Sequence, residues 1–179
     1  MLRVGFILVL VFSFFGGSLY AQTSGSRNVS VTLPAIALLD IEPAGPITLS
    51  FTKPTEAGLP LSNPTPNTSK WINYTSAYGT SGSSRIITAS INQTIPGINI
   101  RLQAAAASGA GGGTRGTPAG LITLTTTPTV IISGIGRSYT GNGVGNGHQL
   151  TISVVPNNYS NLSAQTNTQV TVTYTISSN

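Results

Sequence analysis

An all-β fold, a single antiparallel β-sandwich of about nine strands, is what this sequence predicts, and three observations carry that expectation. Apolar residues alternate with Ser, Thr and Asn, as in Val29-Ser30-Val31-Thr32-Leu33 and Ile98-Asn99-Ile100-Arg101-Leu102. A period of two puts one set of side chains on a buried face and the other in water. Turn residues such as Pro96-Gly97, Pro128, Asn146-Gly147 and Pro156-Asn157 punctuate those runs at short intervals, as hairpin-rich sheets require. Beyond the first residues no apolar stripe of period 3.6 lasts long enough to make a helix. A closed barrel is the architectural alternative.

The strands follow in order. Val29–Leu33 alternates cleanly, and Ile47, Leu49 and Phe51 alternate with Thr48, Ser50 and Thr52. Trp71–Ser76 and Arg85–Asn92 come next; the Pro96-Gly97 turn leads into Ile98–Leu102. Leu121–Thr126, Thr129–Ser133, Gln149–Val155 and Gln169–Ile176 complete the set. Ala104–Ala107 has helix propensity, but glycines follow at once and the run is too short to nucleate. No linker separates two cores, so one domain is expected.

The N-terminus reads as a secretory signal peptide over residues 1–21. Arg3 supplies the positive charge, Val4–Phe15 an apolar run of 12 residues, and Leu19-Tyr20-Ala21 the small residue before cleavage. That run is short of the roughly 20 residues of a spanning helix, the alternative being an uncleaved anchor. The expectation is a secreted, periplasmic or cell-surface protein with its domain in residues 22–179 and no transmembrane segment after cleavage. With no cysteine for a disulfide, that domain must be held by core packing.

Charge is scarce. Without Arg3 the chain has seven basic and three acidic side chains, a net charge of +4. The basic residues are scattered singly, with no cluster and no aromatic interleaving, so no nucleic-acid partner is expected. Weak repulsion between copies permits self-association. The acids Asp40, Glu42 and Glu56 all lie early, and the 123 residues after Glu56 hold no carboxylate side chain and a single histidine, His148. General acid/base catalysis, covalent catalysis and zinc binding need carboxylates, thiolates or clustered imidazoles. A non-enzyme without metal or cofactor is therefore expected.

Several motifs have a plain structural reading. Gly111-Gly112-Gly113-Thr114-Arg115-Gly116 matches G-x-G-x-x-G, but a strand-like run follows it instead of a helix, so it reads as a flexible hairpin loop. His148 opens a strand and reads as structural or surface. The threonine rows 123/125/127 and 171/173/175 read as solvated faces of half-buried strands. Six Asn-x-Ser/Thr sequons (Asn28, Asn67, Asn73, Asn92, Asn158, Asn161) are what an Asn-, Ser- and Thr-rich chain yields by chance.

Trp71, Tyr74 and Tyr78 are the most concentrated aromatics and the candidate glycan contacts. Strand geometry sends Trp71 and Asn73 to one face and Ile72 and Tyr74 to the other. The tryptophan serves either as core anchor or as a stacking platform for a sugar ring.

Arg27-Asn28-Val29-Ser30-Val31-Thr32-Leu33, followed by Ile36, Leu38, Leu39 and Asp40, resembles the mature N-terminus of bacterial colonisation-factor fimbrial major subunits. The segment Val170–Ile176 resembles the closing strand of fimbrial and surface sandwiches. The resemblance implies an immunoglobulin-like sandwich whose first strand is donated to a neighbouring subunit, with Val29, Val31 and Leu33 filling the groove there. A second resemblance, through Trp71-Ile72-Asn73 and the Tyr174 region, is to WxL-type cell-wall proteins; Asn73 stands where their motif has leucine. The expected function is a non-catalytic structural or adhesive surface protein, fimbria-like, whose partners are its own copies or other surface subunits. The alternative is a monomeric glycan- or cell-wall-binding module.

Overall fold

The computed structural model describes residues 24–179; the signal-peptide assignment to residues 1–21 lies outside the described residues. The chain falls into two units, Met1–Thr32 and Leu33–Asn179. The described part of the first unit, residues 24–32, is exposed and carries no helix or strand.

The second unit is all-β. Its strands are β1 (Ile36–Glu42), β2 (Asn67–Ala77), β3 (Arg85–Ile91), β4 (Ile98–Ala104), β5 (Gly112–Pro118), β6 (Leu121–Thr123), β7 (Thr129–Tyr139), β8 (His148–Pro156) and β9 (Val172–Ser178). All pairings are antiparallel and join the nine strands into one hydrogen-bonded sheet, ordered β6-β4-β8-β2-β7-β3-β9. β1 pairs with β2, and β5 with β7, outside that order.

Alternation fixes which face is buried. Ile87, Ala89 and Ile91 of β3 point inward while Thr88 and Ser90 are half-exposed. Ile100, Leu102 and Ala104 do the same on β4, as do His148, Leu150 and Ile152 on β8. On β9, Val172, Tyr174 and Ile176 pack against the core while Thr173 and Thr175 face water, as does Thr171 just before the strand. One apolar cluster draws on β2, β3, β4, β7 and β8. Its fully buried members, such as Leu102 and Ile132, are each worth about 2–5 kcal/mol against alanine.

The count of nine agrees with expectation, but four assignments change. Val29–Leu33 forms no strand. Ile47–Phe51 forms none either: Ile47 and Leu49 pack on the core, yet Pro43, Pro46 and Pro54 punctuate the segment and withhold ladder donors. Only an isolated bridge, Thr52 to Ser62, forms there. In their place stand β1 and β5. The glycine-rich stretch read as a flexible loop is a paired strand whose register shifts between Gly113 and Arg115. Gly113 sits at φ +79° with its α-carbon against β7, where a Cβ would collide with the Arg137 carbonyl oxygen. Backbone contact this close requires glycine.

β2 is the pivot of the sheet. Its first half pairs with β8 as far as Ile72, and its second half with β7 at Thr75 and Ser76. At the change of partner the ladder is interrupted, and the β7–β8 loop supplies what is missing. The Tyr74 N–H donates to Thr140 Oγ1 at 3.0 Å, and the Thr140 N–H donates to the Tyr74 carbonyl at 3.1 Å. Asn73 Nδ2 donates to the Asn146 carbonyl and Asn73 Oδ1 accepts from the Gly143 N–H, both at 2.7 Å. Every polar group of Asn73 that leaves water is thus paired, as a buried amide needs.

Candidate functional site

The three aromatics clustered in sequence are not brought together. Trp71 is half-buried on the face shared with Asn73 and Thr75, in register with Glu42 on β1 and Gln149 on β8. Tyr74 points the opposite way and is buried against His148, so its ring has no open stacking face. Tyr78 is half-buried past the end of β2, with the Arg137 guanidinium 4.6 Å above its ring. That guanidinium also donates to the Tyr78 and Gly79 carbonyls, each at 2.8 Å.

His148 is fully buried at the start of β8. Its Nδ1 lies 2.8 Å from the Ala105 carbonyl, and Nε2 lies 3.1 Å from both the Arg115 carbonyl and the Tyr74 hydroxyl. The Tyr74 hydroxyl in turn donates to the Arg115 carbonyl. Burial lowers the histidine pKa below its ordinary value, while the two carbonyls pull the other way. The ring is neutral at pH 7, and the shorter contact places its proton on Nδ1. This cluster ties β5 and the segment after β4 to the core, with His148 fully buried and Tyr74 nearly so.

Among the described residues no group of three or more His, Cys, Asp or Glu side chains could hold a metal ion. Lys70, buried at the start of the core-facing row of β2, reaches no carboxylate; its ammonium donates to the Pro43 and Gly45 carbonyls at 2.5 and 2.6 Å. No helix among the described residues is long and apolar enough to cross a membrane.

Open surface of a different kind lies in two places. The first is the N-terminal segment, where Val29, Val31 and Leu33 are 84%, 76% and 88% exposed. Three alternate apolar side chains in water are costly, each forgoing about 1.5–3 kcal/mol that burial would supply. The second is a cleft of about 380 Å³ where β1, β2 and β7 run side by side. Leu38 pairs with Thr75, and Thr75 with Tyr139, so the three stand in one row across three strands. Asp40 and Asn142 complete the rim. Sequence reasoning missed Tyr139: it is distant from Trp71 along the chain, and only the register of β7 on β2 brings it to this face. Compared with protein-family models, curated proteins and solved structures, the chain matches none of them.

Proposed function

We propose that the protein is a secreted, non-catalytic structural or adhesive surface subunit, fimbria-like, that assembles by β-strand complementation between copies. The observation that carries this reading is the exposed alternating row Val29, Val31 and Leu33, on a segment without a strand partner among the described residues. Such a segment has the pattern of a strand and lacks the sheet; a neighbouring copy supplies one. Among the described residues four strands offer edges: β1, β5, β6 and β9 each have one hydrogen-bonded partner in the sheet. An unpaired edge is a template for an added strand.

The finer architecture in this reading is an immunoglobulin-like sandwich. Strands separated in the hydrogen-bonded order, such as β4 and β3, contribute to one core cluster, which a sheet folded onto itself achieves. The scarcity of Asp, Glu and His supports a role without catalysis.

Removing residues 22–33 tests the assembly step. The truncated protein is expected to remain folded and to lose its capacity to form oligomers, and a synthetic peptide of that segment is expected to bind it. Oligomers that persist unchanged in the truncated protein would rule out strand donation by this segment.

A further inference from the structure

We propose that the cleft between β1, β2 and β7 binds a neutral pyranose saccharide, held between Leu38 and Tyr139 and hydrogen-bonded by Asp40, Thr75 and Asn142. This inference stands independently of the assembly reading.

The geometry begins with the row Leu38–Thr75–Tyr139. Directly paired residues share a face of the sheet, and adjacent strands lie about 4.8 Å apart. Leu38 and Tyr139 thus form two walls about 10 Å apart at the backbone, with the smaller Thr75 as the floor. Both walls are in the open, Leu38 at 66% and Tyr139 at 56% exposure.

The Tyr139 ring is seated. Its strand partner on β5 is Gly112, and a Cβ built there would lie 3.2 Å from the Tyr139 ring. The ring thus rests over a residue without a side chain, an arrangement that fixes an aromatic at little entropic cost. More than half of the Tyr139 side chain stays open to solvent, and so to a ligand.

Polar groups gather on one side of this row. Asp40 is two residues from Leu38 and so shares its face. One of its oxygens accepts from the Ile41 N–H at 2.8 Å, which orients the carboxylate and leaves the second oxygen for a ligand hydroxyl. The Asn142 carbonyl accepts from Asn146 Nδ2 at 2.7 Å, pinning the backbone that presents the Asn142 carboxamide at the rim. Thr75 adds a hydroxyl that both donates and accepts.

A pyranose ring matches this arrangement: an apolar C–H face for tyrosine and leucine, and a perimeter of hydroxyls for carboxylate, carboxamide and threonine. Apolar walls with a few convergent polar groups are the usual make-up of a small-molecule site. Asp40 is the charged group in the cleft lining, and its sign disfavours sialylated or uronic sugars.

The test is calorimetric titration of the purified full-length mature protein with maltose, cellobiose, lactose and chitobiose, beside sialyllactose. At least one neutral disaccharide is expected to bind. Tyr139→Ala and Asp40→Asn are each expected to weaken that binding by about tenfold or more. Leu121→Ala, an exposed apolar change on β6, should leave it unaltered. Asp40→Asn keeps the side-chain shape, so the test stands even if Tyr139→Ala disturbs folding. No binding of any neutral sugar at millimolar concentration would overturn the proposal. So would equal binding by both variants, or binding of sialyllactose alone.

Discussion

Tyr74 and His148 stack in the core with ring centroids 5.8 Å apart, and both reach the Arg115 carbonyl. Neither side chain is placed to act on a ligand; together they join β2, β5 and β8. Because His148 is the one histidine in the chain, its titration has a readable consequence for stability.

The folded protein holds His148 below its ordinary pKa of 6.5, so the unfolded chain takes up the proton first as pH falls. Stability is therefore expected to be level above pH 6.5 and to decline as pH falls from there toward the folded-state pKa. Denaturant midpoints across this range check it. His148→Gln should abolish the slope and lower stability by about 1–3 kcal/mol through the buried Ala105 carbonyl it leaves unpaired. A wild-type midpoint independent of pH there would contradict the burial of the neutral ring.

At high pH the sign reverses. Burial pushes the Tyr174 hydroxyl up to about 12 and raises that of Tyr74 as well. Stability is expected to be full below pH 10 and to fall as pH rises through 12. Ultraviolet titration should show Tyr74 and Tyr174 ionising together with unfolding. Tyr174→Phe should flatten part of the alkaline loss.

Asn73 holds the β7–β8 loop where β2 changes partner. Asn73→Ala leaves the Gly143 N–H and the Asn146 carbonyl without it, and is expected to cost about 1–3 kcal/mol. Asn73→Asp should cost more, since it buries a charge and sets an oxygen against the Asn146 carbonyl. Chemical denaturation of the two variants measures the order; equal stability would contradict the clasp.

Two glycines separate steric from conformational need. Gly113 and Gly120 both have positive φ, +79° and +90°, but a Cβ strikes β7 backbone at Gly113 and meets nothing within 4 Å at Gly120. Gly120→Ala is expected to cost about 1–2 kcal/mol from the left-handed conformation alone. Gly113→Ala should exceed it by about 1–3 kcal/mol of steric strain. Thermal melts of both variants give the comparison.

What the sequence made legible follows from how each strand is stabilised. β3, β4, β8 and β9 bury one face, and the alternation that burial requires is visible in Ile87/Ala89/Ile91 and Ile98/Ile100/Leu102. β5 is held by backbone approach through Gly112 and Gly113, so no apolar pattern announces it. β1, with Ala37, Leu38 and Asp40 exposed, has no clean period either. Val29–Leu33 has the pattern without the ladder, because alternation reports which side chains suit burial and says nothing of which sheet buries them. The cleft was illegible for the same reason. Leu38, Thr75 and Tyr139 meet only through registers that no local signal encodes.

The most direct test of strand exchange between copies is the mass of the chain from Gln22 to Asn179, by size exclusion with light scattering over a range of concentrations. A ladder of oligomers or filaments, absent when residues 22–33 are removed, is the predicted result. A monodisperse monomer at every concentration would contradict it.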